Sequence, residues 1–180
     1  MDCKTVRHLI GTDLERYAQE NNLKITLAKK ISFFFLPCIL VLAFQRISHY
    51  FFLKGHYLTA RLIYTINLIL FAADISPNSS LGSHAYLPHP VGIVIIGKVG
   101  DYCTLFANIT IGGGREEKDI GAGMGLPLIG NHVMLGAGSR VLGAIKDGDR
   151  VQVGAASLVI TDVPEDSNAY GVPAKIQRRQ

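Results

Sequence analysis

Aliphatic side chains recur at every sixth position from Ile75 through Leu81, Leu87, Ile93, Val99 and Leu105 to Ile111. This period suits neither an amphipathic helix nor a half-buried strand, whose apolar positions repeat at 3.6 and 2 residues. A six-residue step instead predicts short flat strands wound into a solenoid, each strand sending one aliphatic residue inward.

Ile129, Leu135 and Val141 continue the frame, Asp147 breaks it, and Val153 and Val159 restore it. Three such steps close a triangular coil of about eighteen residues. Ile111 and Ile129 stand eighteen positions apart, so the segment between them is expected to take the place of one coil and to protrude as a loop. Glycine follows the aliphatic position at Gly82, Gly112, Gly130, Gly136 and Gly154, as a corner without room for a Cβ requires. Small or modest residues lie four after many aliphatic ones (Ser79, Ala85, Cys103, Ser139, Ser157), where a narrow prism has little space. A β-sandwich fits less well, because its strands alternate with period two and vary in spacing.

Residues 1–73 lack the hexads and are expected to form a helical subdomain on the base of the solenoid, with residues 74–180 forming the β-helix, its loop 112–128 and a C-terminal tail. Thr12-Asp13-Leu14-Glu15 reads as a capping box opening a short helix. Ile31 to Phe44 is apolar but only fourteen residues long and holds Pro37, short of the roughly twenty that span a bilayer. A second helical run covers Tyr57 to Ala73. Phe33 to Phe35 beside Lys29 and Lys30 allows peripheral membrane contact.

The 180 residues carry a net charge of +4, scattered rather than gathered into a stripe, so no nucleic-acid partner is expected. Three cysteines (Cys3, Cys38, Cys103) without metal spacing, and an N-terminus without a signal-peptide layout, fit a reducing cytoplasm. No cluster predicts a metal. Of six histidines, His89 is the most suggestive, projecting near a corner two residues after inward-facing Leu87. A neutral imidazole can take a hydroxyl proton, yet from pattern alone a lone histidine is more often surface decoration. Gly112-Gly113-Gly114 lacks the Lys-Ser/Thr of a phosphate loop and reads equally well as a flexible exit from the coil.

The stretch from Asp74 to Ile176 resembles the serine acetyltransferase branch of the hexapeptide-repeat acyltransferases. Asp74-Ile75-Ser76-Pro77 stands where that branch has Asp-Ile-His-Pro, and His89-Pro90-Val91-Gly92-Ile93-Val94 where it has His-Ala-Thr-Gly-Ile-Val, at the family's interval. Ile109-Thr110-Ile111-Gly112-Gly113 matches its Val-Thr-Leu-Gly-Gly, and Tyr170-Gly171-Val172-Pro173-Ala174-Lys175-Ile176 its closing segment. Arg46-Ile47-Ser48-His49 is also family-like. The resemblance implies a left-handed parallel β-helix with an N-terminal α-helical part, a homotrimer with active sites shared between chains, and acetyl-CoA as co-substrate. It implies His89 as general base and Asp74 as its orienting carboxylate. It places cofactor contacts at Gly113, Gly114, Ala137 and Ala155, with the Gly112–Gly114 turn near the oxyanion.

Two departures bear on the acceptor. Pro88 replaces the Asp that precedes the family's catalytic His. The loop reads Met124-Gly125-Leu126-Pro127 where the family has Asp-Arg-His-Pro, so the groups that grip serine's carboxylate are missing. Arg115, Glu116, Glu117, Lys118 and Asp119 enrich the loop in polar groups. On these grounds the expected acceptor is a saccharide hydroxyl of a capsule, exopolysaccharide or lipopolysaccharide. Serine O-acetylation for cysteine synthesis is the alternative, and a non-catalytic trimeric scaffold the second.

Overall fold

The computed structural model describes residues 2–24, 26, 35–114 and 117–179. Among them, strands numbered in chain order form three flat faces. The first face holds β1 (Asp74–Ile75), β3 (Val94–Ile95), β6 (Thr110–Gly112), β9 (Arg140–Leu142) and β12 (Leu158–Val159). The second holds β2 (Ser80–Leu81), β4 (Lys98–Val99), β7 (Leu128–Ile129) and β10 (Lys146–Asp147). The third holds β5 (Thr104–Leu105), β8 (Met134–Leu135), β11 (Gln152–Val153), β13 (Ser167–Tyr170) and β14 (Lys175–Arg178). Pairing is parallel throughout except that β14 folds back antiparallel on β13. The molecule is therefore a three-faced parallel β-helix. Its interior is the aliphatic stack that the hexads predict, and Ser79, Ala85, Cys103, Ser139 and Ser157 are buried in it.

Close stacking explains the corner glycines. A Cβ on Gly130 would lie 2.6 Å from Asp149 Oδ1 and 2.7 Å from the backbone of Gly148. On the corner after the second face, the residues that follow Gly100, Gly130 and Gly148 cap the neighbouring coil. Asp101 Oδ1 accepts from Ser83 N at 2.6 Å, Asn131 Oδ1 from Asp101 N at 2.8 Å, and Asp149 Oδ1 from Asn131 N at 2.8 Å.

Two expectations about the frame need correction. On the first face Ile75 is in register with Ile95, not Ile93, and Ile95 with Ile111. The step from Leu87 on the third face to Ile95 thus takes eight residues, and the next step, to Val99, takes four. Ile93 stays buried, inside the lengthened corner. Second, the segment after Ile111 replaces no coil. Ile111 pairs with Val141 on the first face, while Ile129 pairs with Val99 on the second. The segment is one corner enlarged into a loop.

Three helices precede the prism among the described residues: α1 (Cys3–Glu20), α2 (Pro37–Leu53) and α3 (Tyr57–Phe71). The helix expected to open at Thr12 already begins at Cys3, capped by Asp2, whose side chain accepts from Thr5 N at 2.7 Å. Thr12 is a mid-helix residue bonded to Leu9 O at 2.8 Å. Asp13 is released from capping to do something else. It is buried, takes a two-point contact from Arg46 (3.2 and 3.1 Å), and accepts from Ala85 N at 2.9 Å. Burial pushes its carboxyl up, against the pull of Arg46.

Pro37 opens α2, where its missing N–H costs nothing. Successive polar residues of α2 seize carbonyls of the first coil: Gln45 donates to Ser79 O at 3.1 Å, Arg46 to Leu81 O and to Gly82 O at 2.6 Å, and His49 Nδ1 to Pro77 O at 2.8 Å. Desolvation lowers the His49 pKa, which keeps the ring neutral. α3 buries only Ala60 and Asn67, and leaves Leu58, Leu62, Ile66 and Ile69 exposed along one stripe. No helix among the described residues is long and apolar enough to cross a membrane. Of the segment assigned membrane contact, Lys29, Lys30, Phe33 and Phe34 lie outside the described residues, and Phe35 is exposed.

Candidate active site

The lengthened corner between the third and first faces is Pro88-His89-Pro90-Val91-Gly92. Prolines on both sides hold φ near −65° at their own positions and restrict the backbone of His89, which lies in a bend. Pro90 is buried, so the corner is pinned, while His89 is exposed. The described residues offer its ring no hydrogen-bond partner. Gly92 closes the turn in the left-handed region (φ +69°) and donates to Ala72 O at 3.0 Å. A Cβ there would fall 2.1 Å from Asn108 Oδ1. The two extra residues of this step thus lift one imidazole off the edge of the prism.

Below it the same edge is built from small residues. Asn108 N donates to Val91 O, Gly138 N to Ala107 O and Ala156 N to Ala137 O, at 3.0, 2.9 and 2.8 Å. This ladder aligns Val91, Ala107, Ala137 and Ala155 rung by rung, with Ala137 and Ala155 exposed. Two of the expected cofactor residues therefore share an edge with His89. Gly113 and Gly114 do not. They leave the opposite end of the first face, where β6 enters the loop, and are exposed there.

Asp74 opens β1, one rung from the His89 corner. Its N–H donates to Ile93 O at 2.8 Å, and it pairs with Val94. Its carboxylate is half-buried and accepts from Tyr64 Oη at 2.7 Å. No hydrogen bond joins it to His89 among the described residues.

Beside His89 opens a cleft of about 820 Å³ between the helices and the prism. Its walls include Tyr17 of α1 and Asn21 just after it, Pro37 and Cys38 of α2, Ile69 to Ala72 at the end of α3, and Tyr86 to Val91 in part. Sequence reasoning missed this cleft and Tyr64, because the helices that form the wall carry no motif. The loop folds on itself: Asp119 Oδ1 accepts from Gly121 N (2.7 Å) and Gly123 N (3.0 Å), which hold its carboxyl below the usual range. Arg115 and Glu116 lie outside the described residues. Among the described residues no group of three His, Cys, Asp or Glu side chains is gathered to hold a metal ion.

No protein-family model matches the chain. It is 34% identical over 141 residues to a serine acetyltransferase of Helicobacter pylori, covering 77% of this chain and 80% of that one. It is 32% identical over 142 residues to the serine acetyltransferase of Synechococcus elongatus, covering 78% of this chain and 57% of the relative. The structure superposes on Neisseria gonorrhoeae serine acetyltransferase with a TM-score of 0.87 and 27% identity, over 98% of this chain and 68% of that one. It superposes on the Brucella abortus enzyme in complex with coenzyme A with a TM-score of 0.80 and 25% identity, over 94% and 66%. The chain belongs to the serine acetyltransferase family, and spans little more than half the length of some of the relatives it matches.

These relatives overturn the expectation of a saccharide acceptor and of a role in surface-polysaccharide synthesis. The similarity runs to serine acetyltransferases along most of the chain. Pro88 lies within the His89 corner itself, and Met124–Pro127 lies in the loop that leaves the opposite end of the first face; neither interrupts the stacked coils. A missing pair of gripping side chains does not by itself name a different acceptor.

Proposed function

We propose that the protein is an acetyl-CoA-dependent O-acetyltransferase whose acceptor is the hydroxyl of serine. The observation that carries this reading is the eight-residue step that lifts His89 over the column of Ala107, Ala137 and Ala155, in a chain 34% identical to a serine acetyltransferase. In this reading residues 74–180 carry the chemistry on a left-handed helix, and residues 1–73 cover its first coil.

His89 takes the proton from the serine hydroxyl as the oxygen attacks the thioester carbonyl carbon. The C–S bond then breaks, and the proton held by the imidazolium goes to the departing thiolate. Asp74 supports the imidazolium, and no acyl-enzyme forms. The exposed Ala137 and Ala155 give the pantetheine arm a smooth edge to lie on. Gly113 and Gly114, at the other end of the face, suit a contact with the acyl end from a neighbouring subunit of a trimer. The exposed stripe on α3 is a further surface for such an assembly to cover.

The test is incubation with acetyl-CoA and L-serine, with free thiol and product both measured. Serine-dependent thiol release with stoichiometric O-acetylserine is expected. Release that does not depend on serine at millimolar concentration, or none, would sink the assignment.

A further inference from the structure

We propose that Tyr64 is a positioning residue for acetyl transfer, holding the Asp74 carboxylate in the orientation that serves His89. The inference rests on the general-base reading of His89. Its support is geometric. The Tyr64 hydroxyl donates to Asp74 Oδ1 at 2.7 Å, which occupies one carboxylate oxygen. Among the described residues no hydrogen bond reaches the other, Oδ2, and in this proposal Oδ2 is the oxygen that serves the imidazole.

Asp74 sits where its backbone cannot wander. Its N–H is tied to Ile93 O at 2.8 Å, and the chain just before it is tied through Ala72 O to Gly92 N at 3.0 Å. Both bonds run to the corner that carries His89. The freedom left is in the two side-chain torsions, and the phenol restricts both by holding Oδ1.

Tyr64 itself is held. It lies on α3, two turns before the helix ends at Ala72 in a left-handed conformation (φ +51°). The Arg61 guanidinium lies 5.2 Å from the centre of its ring. Burial, and then Asp74, raise the phenol above its ordinary pKa, so it remains a proton donor across the working pH range. The helical segment therefore contributes to the catalytic corner through one hydroxyl, which no hexad or motif announces.

The experiment compares wild type, Tyr64→Phe, Asp74→Asn, their double variant and His89→Ala, reading kcat, KM for acetyl-CoA and the pH profile of kcat/KM, with thermal melting to show that each folds. Tyr64→Phe is expected to lower kcat about tenfold with KM for acetyl-CoA unchanged. The acidic limb should move to lower pH, because an unsupported imidazolium loses its proton more readily. In the Asp74→Asn background the same change should add nothing. An unshifted profile, or equal losses in both backgrounds, would overturn the proposal. If Asp74→Asn and His89→Ala both keep wild-type turnover, the base assignment fails instead. If those two lose activity and Tyr64→Phe does not, only the role of Tyr64 fails.

Discussion

Asp147 occupies an inward position on the second face, in register with Ile129. It is fully buried, and neither carboxylate oxygen has a hydrogen-bond partner among the described residues. Desolvation, with Asp162 nearby, pushes its pKa up to about 7 from 3.8. The sequence showed this only as a break in the aliphatic frame, because hexad spacing cannot say whether a polar residue bends the coil or is swallowed by it. The sign of the consequence follows from linkage. The unfolded chain ionises first, so the neutral folded form is favoured fully below pH 4, and the advantage is lost as pH rises to about 7. The loss amounts to roughly 4 kcal/mol. Asp147→Asn should therefore melt at a higher temperature than wild type at pH 8, with the gap closing towards pH 4. Parallel melting curves across that range would refute this. His89 and Asp74, by contrast, were legible as residues from motif and interval. Their surroundings were not, since Tyr64 reaches Asp74 from a different element.

Among the elements, the corner that carries His89 shows what periodicity can and cannot reveal. Ile93, Val94, Ile95 and Ile96 are all aliphatic, so the hexad count passes through Ile93 without noticing that Ile95 holds the register. The lengthening by two residues is repaid at once by the short step to Val99, so the overall frame survives and the local displacement is hidden. The loop after Ile111 misled for a related reason: eighteen residues equal one coil in length but not in path. The joint between helices and prism was also obscure. Asp13 looked like part of a cap, whereas its charge is spent on Arg46 of α2. That ion pair is buried on both sides, with side-chain exposures of 2% and 1%. Arg46→Leu strands the Asp13 carboxylate and two coil carbonyls, and should cost about 3–5 kcal/mol. Adding Asp13→Leu should recover a large part of it in denaturant titrations. No recovery would mean that the bonds to Leu81 and Gly82, rather than the charge pair, hold the joint.

For the molecule as a whole, the account depends on one edge of the prism. The three-faced solenoid sets the rungs, the small residues keep that edge open, and the helices wall a cleft on the other side of the imidazole. The ring is exposed, as the proposal of a base shared with a neighbouring subunit requires. The exposed apolar stripe on α3 adds a surface that an isolated chain would leave to water. The most direct test is serine-dependent thiol release by wild type and His89→Ala, with coenzyme A affinity measured for both by calorimetry. The account predicts a fall in kcat of roughly 10²–10⁴-fold with the dissociation constant unchanged. Wild-type turnover in the variant would contradict it.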